Sequence, residues 1–168
     1  DRSAAVHDLL GPVPVPRATG EKVIVEHTNI NPNKAAHIGH LRNAVLGDTL
    51  VRCLEALGRR VEVQNYIDDT GVQVADVTVA LVHLEGLDER GFEALVAHAE
   101  ERRARGGHGV DHDLWDLYAR VTRWFGEDKP RESLRAEALH ELEAHEGPLA
   151  RLGARVASAV VDCHLRTM

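Results

Sequence analysis

The sequence predicts an α/β fold, made of a βαβ nucleotide-binding unit with an appended, mostly α-helical insertion. Three observations support it. A short apolar run at residues 23–25 and a run of alternating apolar and polar residues at 61–64 flank a stretch of helical period at 41–57. A polar loop follows each run, where the carboxyl ends of parallel strands bind ligands in open α/β sheets. After residue 73, apolar residues recur almost entirely at helical spacing.

The helix between the two strands is predicted from its apolar stripe and its end signal. Gly58 is a natural C-cap, because glycine adopts the left-handed conformation at little cost. We expect one face of the helix to pack on the sheet, and its apolar positions are Val45, Leu46, Leu50, Val51, Leu54 and Leu57.

The second half is predicted to be helical, without a clear third parallel strand. Trp115 and Trp124 fall in one of these helices, and aromatic residues at this spacing are typical of a core rather than of a nucleic-acid stacking platform. The predicted helices cover residues 74–85, 87–100, 111–125, 135–146 and 149–165.

Composition indicates a globular chain of ordinary character. The 168 residues are 43% hydrophobic and 28% charged, and no apolar run approaches membrane-spanning length, so no membrane association is predicted. The cysteines, Cys53 and Cys163, are isolated, which favours a reduced, cytoplasmic compartment. The 11 histidines are scattered and Asp68 and Asp69 point apart on an extended chain, so no protein-bound metal is predicted.

The net charge of −7 bears on nucleic-acid binding. The first 83 residues hold 8 Lys+Arg and 10 Asp+Glu, and the remainder holds 12 and 17, so neither half is basic. A domain that grips RNA by itself is expected to carry a basic patch. Any such surface is therefore local, or supplied by parts outside this chain.

The loop before the helix has the residue types of a phosphate site. A helix beginning near Ile38 presents unpaired N–H groups and a partial positive charge. His37 and His40 share a face of its first turn, Gly39 permits close approach of a ligand, and Lys34 adds a cation. This set suits phosphoryl or nucleotidyl transfer, in which positioning and charge stabilisation dominate catalysis.

The same stretch resembles a known family. Residues 26–43, which contain the tetrad His37-Ile38-Gly39-His40, are similar to the HIGH signature of class I aminoacyl-tRNA synthetases, and most similar to arginyl-tRNA synthetase. Gly47-Asp48 and the pattern at 65–73 also match. Asp68 and Thr70 depart from the family's common Gly and Trp, which puts the detailed roles of the second loop in doubt.

The resemblance implies a set of site residues and a domain order. His37, His40 and Lys34 would be catalytic and would bind ATP with Gly39, Lys34 standing in for a lysine that many arginyl enzymes lack in a later loop. The implied order is a leader at 1–20, a Rossmann-like (HUP-type) ATP-binding half at 21–83 and a helical insertion at 84–168. The implied amino-acid-binding residues are Glu26, Asn31, Asp69 and Gln73.

Three functions remain open at this point. The resemblance implies that the chain is part of an enzyme of protein biosynthesis. This enzyme would activate L-arginine with ATP, which enters with bound Mg²⁺, and transfer the arginine to tRNA. Most of the contacts with tRNA would be made by parts of the protein outside this chain. One alternative is an incomplete, non-catalytic module that binds a nucleotide or a partner. Another is a nucleotidylyltransferase of the same superfold that acts on a small acid without tRNA.

Overall fold

The computed structural model describes residues 20–168. The leader predicted at 1–20, for which the sequence also allows a short helix at 3–10, lies almost wholly outside them. All predicted strands and helices of the described part are present, with shifted ends. They are β1 (Val23–Glu26), α1 (Ile38–Ala56), β2 (Val61–Gln64), α2 (Val72–His83), α3 (Glu89–Ala104), α4 (Val110–Glu127), a 3₁₀ turn (Lys129–Arg131), α5 (Glu132–Ala144) and α6 (Pro148–Thr167). No helix among residues 20–168 has the length and apolar character needed to cross a membrane.

Packing divides the chain into two compact units. The sheet unit reaches Thr28 and resumes over Arg42–Asn65, and the helical unit comprises Asn29–Leu41 and Tyr66–Met168. The units interleave along the sequence, so they do not test the domain bounds of 1–20, 21–83 and 84–168, which stay a prediction.

The sheet unit contains the predicted βαβ arrangement. β1 and β2 pair in parallel, with Val23 opposite Val61 and Glu26 opposite Gln64. An ion pair of 2.7 Å between Lys22 and Glu62 adds a contact between the two strand segments. A parallel pair needs a long crossover connection, which α1 supplies. The α/β fold class is therefore confirmed.

The predicted sheet-facing stripe of α1 is buried only in part. Val51 is buried and Leu54 is half-buried. In the described part of the chain the sheet has two strands, and a surface that narrow covers little of a five-turn helix. The remaining predicted positions, all exposed, are Val45, Leu46, Leu50 and Leu57.

A glycine permits close contact between α1 and the segment after β1. A Cβ atom built on Gly47 would lie 2.1 Å from Cγ of His27, which is far inside van der Waals contact. Gly47 is buried, and only the missing side chain allows the imidazole of His27 to lie against the helix.

The helical unit is built around α2. Every residue from Val74 to Leu81 is buried, including Asp76 and Thr78, so this central part of the helix is enclosed on all sides. Helices α4, α5 and α6 contact it and contribute its apolar surroundings. The largest fully buried side chains of this core are Phe92, Leu81, Leu114, Leu152, Val74 and Val77.

One ion pair lies inside this core. The guanidinium of Arg135 on α5 donates from Nε to Oδ1 of Asp76 at 2.6 Å and from Nη2 to Oδ2 at 3.2 Å. The Arg135 guanidinium also lies 4.4 Å from the ring centroid of Phe125. Burial raises the pKa of the Asp76 carboxyl, and the neighbouring Arg135 opposes that rise.

Candidate functional site

The loop that carries the predicted site residues is anchored by the helical unit. Ile30, Asn33 and Ala35 are buried, although the loop is polar. The amide of Ala35 donates to the carbonyl of Asp111 at the start of α4, at 2.9 Å. Backbone groups removed from water need such partners, so helix α4 fixes the path of this loop.

A buried histidine holds the same loop from α6. Nε2 of His164 lies 2.8 Å from the carbonyl oxygen of Lys34. A carbonyl oxygen can only accept a hydrogen bond, so Nε2 of His164 carries a hydrogen and donates the hydrogen bond. His164 is 8% exposed, and this bond satisfies a polar group that water barely reaches.

The side chain of Lys34 lies against two aromatic rings of α4. Its Nζ atom is 4.8 Å from the ring centroid of Tyr118 and 5.9 Å from that of Trp115. Burial of the ammonium lowers the pKa of Lys34 from 10.5. Among residues 20–168, no carboxylate forms an ion pair with Lys34, so its charge is held by ring faces alone.

His37 and His40 form a pair at the first turn of α1, with ring centroids 3.9 Å apart. Nδ1 of His37 accepts the amide of Gly39 at 3.1 Å, and Nδ1 of His40 accepts the amide of His37 at 3.1 Å. A nitrogen that accepts carries no proton, so both rings are neutral and present Nε2–H as a donor. The pair therefore offers two hydrogen-bond donors without a positive charge.

The electrostatic surroundings keep His40 neutral. Burial lowers its pKa below 6.5, and the pKa is lowered further because a positive charge on His40 would be repelled by the Lys34 ammonium and by His37 or His164 whenever either of these is protonated. Protonation would also cost the bond that Nδ1 accepts from the His37 amide. At neutral pH the ring is therefore a fixed dipole rather than a cation.

Gly39 is required by the histidine beside it. A Cβ atom at this position would lie 2.8 Å from Cε1 and 3.0 Å from Nδ1 of His37. The absence of a side chain lets the imidazole fold back over the helix start and accept the Gly39 amide. The helix N-terminus, where we expect a phosphate, is thus partly capped by imidazole nitrogens.

A cavity of about 650 Å³ opens beside His37. Its wall includes Trp115, Arg102 and the stacked rings of His108 and His112, whose centroids are 4.1 Å apart. Arg102 is fixed by a 2.6 Å ion pair with Asp113. Within the described part of the chain, no three His, Cys, Asp or Glu residues are placed to hold a metal ion.

The remaining predicted site residues lie elsewhere or make other contacts. Glu26 ends β1 and belongs to the sheet unit. Asn31 is half-buried in the anchored loop, and its carbonyl accepts the Asn33 amide at 2.9 Å. Asp69 is exposed, and Gln73 is half-buried in the first turn of α2. Thus Lys34, His37 and His40 come together, and the roles of all the predicted site residues stay predictions.

Sequence reasoning missed three residues that contact this group. The expectation that Trp115 belongs to the core is wrong, because its side chain is 37% exposed and its ring centroid is 5.8 Å from that of His37. Leu114 and Leu117 are buried on the apolar stripe of α4, and Trp115 lies outside that stripe. Its position on the helix could therefore have predicted its exposure. Nothing in the sequence indicates that Tyr118 and His164 would meet residue 34.

The loops after the two strands are also tied together. The side-chain oxygen of Asn29 accepts the amide of Tyr66 at 2.8 Å. Thr28 has φ of 76°, which is unusual for a β-branched residue, and Asn29 follows with φ of 31°. Backbone strain of this kind concentrates at functional sites.

The family model described as tRNA synthetases class I (R), catalytic domain, matches residues 10–99. The chain therefore belongs to the class I tRNA synthetases. The letter R in the description of that model is the one-letter code for arginine, so within the class the chain belongs to the arginine branch. An arginine–tRNA ligase of Thermococcus sibiricus is 40% identical over 148 residues, and one of Pyrococcus furiosus is 41% identical over 149. These alignments cover 88% and 89% of this chain.

The solved Thermus thermophilus arginyl-tRNA synthetase superposes on 99% of this chain with a TM-score of 0.69 and 32% identity. The match covers 24% of the Thermus chain, and the two alignments above cover 22% of each archaeal relative. This chain thus spans about a fifth of the length of the curated relatives.

Proposed function

We propose that this chain is part of an arginine–tRNA ligase and that Lys34, His37 and His40 bind the phosphates of ATP in it. The observation that carries the proposal is their grouping. Two neutral imidazole donors and one ammonium, the latter free of a carboxylate partner in the described residues, meet at a helix start beside a cavity. Anionic phosphate oxygens are the ligands that such a set attracts.

The reaction we propose is activation of L-arginine. A carboxylate oxygen of arginine attacks the α-phosphorus of ATP, the bond from that phosphorus to the β-phosphate oxygen breaks, and pyrophosphate leaves. The product is arginyl-adenylate. A ribose hydroxyl at the 3′ end of tRNA then attacks its carbonyl carbon, the bond from that carbon to the phosphate oxygen breaks, and AMP leaves. Mg²⁺ enters with ATP rather than with the protein.

Each of the three side chains has a distinct part in this proposal. His37 and His40 donate from Nε2 to phosphate oxygens, because their Nδ1 atoms are engaged by backbone amides. Lys34 supplies the positive charge that offsets charge developing on the departing pyrophosphate. The family resemblance also implies roles in binding arginine for Glu26 and Asn31, at its α-amino group, and for Asp69 and Gln73, and we propose these roles here.

Composition and the free cysteines support two further proposals, on tRNA binding and on location. The net charge of −7 gives this chain little attraction for a polyanion, so we propose that tRNA is gripped mostly by surfaces outside it. A cytoplasmic location is proposed because both cysteines are free thiols.

The decisive experiment is arginine-dependent ATP–pyrophosphate exchange by the chain and by a His37→Ala/His40→Ala double variant. Exchange that is lost in the variant supports a working adenylation site. The control is His98→Ala/His140→Ala, which removes two exposed histidines on α3 and α5.

The alternative function is a nucleotide-binding module without catalysis. It is favoured by the fact that the grouped residues are all of phosphate-binding type and all lie within the helical unit. ATP binding that weakens in the double variant, with no exchange in either protein, would select this alternative. If the chain shows neither exchange nor ATP binding, both functions are refuted for it.

A further inference from the structure

Lys34 is held differently from the lysine of the sheet unit. Lys22 forms a 2.7 Å ion pair with Glu62, whereas Lys34 faces the rings of Tyr118 and Trp115. Tyr118 and Trp115 lie three residues apart on α4, so they project from the same side of that helix. The two rings form one aromatic surface against the ammonium.

An aromatic surface positions a cation without neutralising it. A carboxylate partner would compete with a phosphate for the ammonium, and its own negative charge would repel the phosphate. A ring face attracts the cation through its quadrupole and carries no net charge. The charge of Lys34 thus stays available to an anion that enters the site.

Trp115 also contacts a second member of the site. Its indole meets the His37 imidazole edge-on, with an interplanar angle of 75° and centroids 5.8 Å apart. The same indole borders the cavity beside His37. One ring therefore touches two of the three side chains to which we assign phosphate binding.

We propose that Tyr118 and Trp115 are positioning residues, which hold the Lys34 ammonium, and through Trp115 the His37 imidazole, for contact with the phosphates of ATP. This inference rests on the proposed function, because it concerns how the same site is kept ready. The helical unit then contributes to the chemistry of the site through two side chains of α4.

The contact itself is testable by NMR, without any activity. The chain contains three lysines, Lys22, Lys34 and Lys129, so the ε-CH₂ signals of ¹³C-labelled lysine are easily assigned. Protons over a ring face are shifted upfield. We expect the Lys34 shift to fall sharply in Tyr118→Leu, where only the more distant Trp115 ring remains, and to persist in Tyr118→Phe, which keeps the nearer ring. The signals of Lys22 and Lys129 serve as internal controls.

The use of the contact is tested by ATP affinity. We expect Tyr118→Leu and Trp115→Leu to weaken ATP binding by about three- to thirtyfold, and the corresponding Phe variants to restore most of it. In a Lys34→Met background, Tyr118→Leu should cause no further loss. A purely structural role for the ring would weaken binding equally in both backgrounds. Circular dichroism and urea unfolding verify that each variant folds.

Different results would refute the positioning role of the two rings and the proposed contact of Lys34 with phosphate. The positioning role is refuted if the wild-type chain shows no upfield shift of the Lys34 signals. It is also refuted if Lys34→Met weakens ATP binding while the Leu variants, in which the shift is reduced, bind ATP with wild-type affinity. If Lys34→Met itself leaves ATP affinity unchanged, the proposed phosphate contact of Lys34 is wrong, and the positioning role falls with it.

Discussion

The imidazole of His164 on the last helix donates from Nε2 to the carbonyl oxygen of Lys34, 130 residues earlier in the chain, at a distance of 2.8 Å. Lys34 immediately precedes Ala35, whose amide donates to the carbonyl of Asp111. Two helices of the helical unit thus fix the backbone of the residue whose side chain we place at the phosphates. The helical unit therefore supports the backbone of the candidate site.

Replacing His164 is expected to loosen this loop. The variant His164→Ala leaves the Lys34 carbonyl without its partner and removes a buried ring, which costs about 2–4 kcal/mol of unfolding free energy. Urea unfolding followed by tryptophan fluorescence measures the change, since both tryptophans lie in the helical unit. The exposed neighbour variant Leu165→Ala is the control, and an equal loss in both would contradict the role of the bond.

Gly39→Ala tests the packing of His37. The added Cβ would lie 2.8 Å from the ring, so the imidazole must move and release the Gly39 amide. We expect ATP affinity to fall roughly tenfold or more, because displacements of about 1 Å are costly at such sites. Gly126→Ala is the matched control, since nothing lies within 4 Å of a Cβ there. Wild-type ATP affinity in Gly39→Ala would argue against a fixed His37.

Gly47→Ala tests the close approach of α1 to His27. The new methyl group would overlap the imidazole, and overpacking of this kind costs about 1–3 kcal/mol. The readout is hydrogen exchange of the His27 amide, which donates to the Gln64 carbonyl at 3.1 Å between the strand ends. Faster exchange at this amide is expected, and unchanged protection would mean that the segment adjusts at no cost.

Arg135→Met tests the buried ion pair, and its effect should depend on pH. The loss leaves the Asp76 carboxylate buried and unpaired, which costs about 3 kcal/mol at neutral pH. Burial already raises the pKa of Asp76, so the folded state holds its proton more tightly than the unfolded state. The stability that Asp76 contributes is therefore present in full at low pH, and it is lost as the pH rises through the pKa of Asp76 in the folded state.

Urea unfolding of wild type and Arg135→Met at acidic and neutral pH measures this difference. The gap between the two proteins should widen as the pH rises. Arg52→Ala, which breaks the exposed pair with Asp48, is the control and should change stability little at either pH. A gap that is constant with pH would show that Asp76 is not the group responsible.

The pH dependence of stability expected from His40 has the opposite sign to that expected from Asp76. Its pKa is lowered in the folded protein from 6.5, so below that pH the unfolded state binds more protons. The contribution of His40 to stability is full above pH 6.5 and is lost as pH falls through its folded pKa. Imidazole NMR gives the pKa directly, and the stability difference between wild type and His40→Gln should shrink on acidification. A pKa at or above 6.5 would contradict the hydrogen bond assigned to Nδ1.

Much of the fold follows from sequence pattern. Strands at 23–25 and 61–63 and every helix of the second half are predicted by local periodicity, because the side-chain period of an element depends on its own residues. The exposed leucines of α1 are the exception. Periodicity shows that a stripe is apolar, but burial depends on how much sheet stands opposite.

The sequence by itself determined the family, through the residues around His37 and His40, and it determined which chemistry the loop can offer. The tertiary structure decided what surrounds them. The rings of Trp115 and Tyr118 meet Lys34 across more than 80 residues of chain, and His164 meets its carbonyl from the last helix. Such contacts depend on the packing of whole helices, which local sequence patterns do not specify. They fix the position of Lys34, and the burial that accompanies them lowers the pKa values of Lys34 and His40.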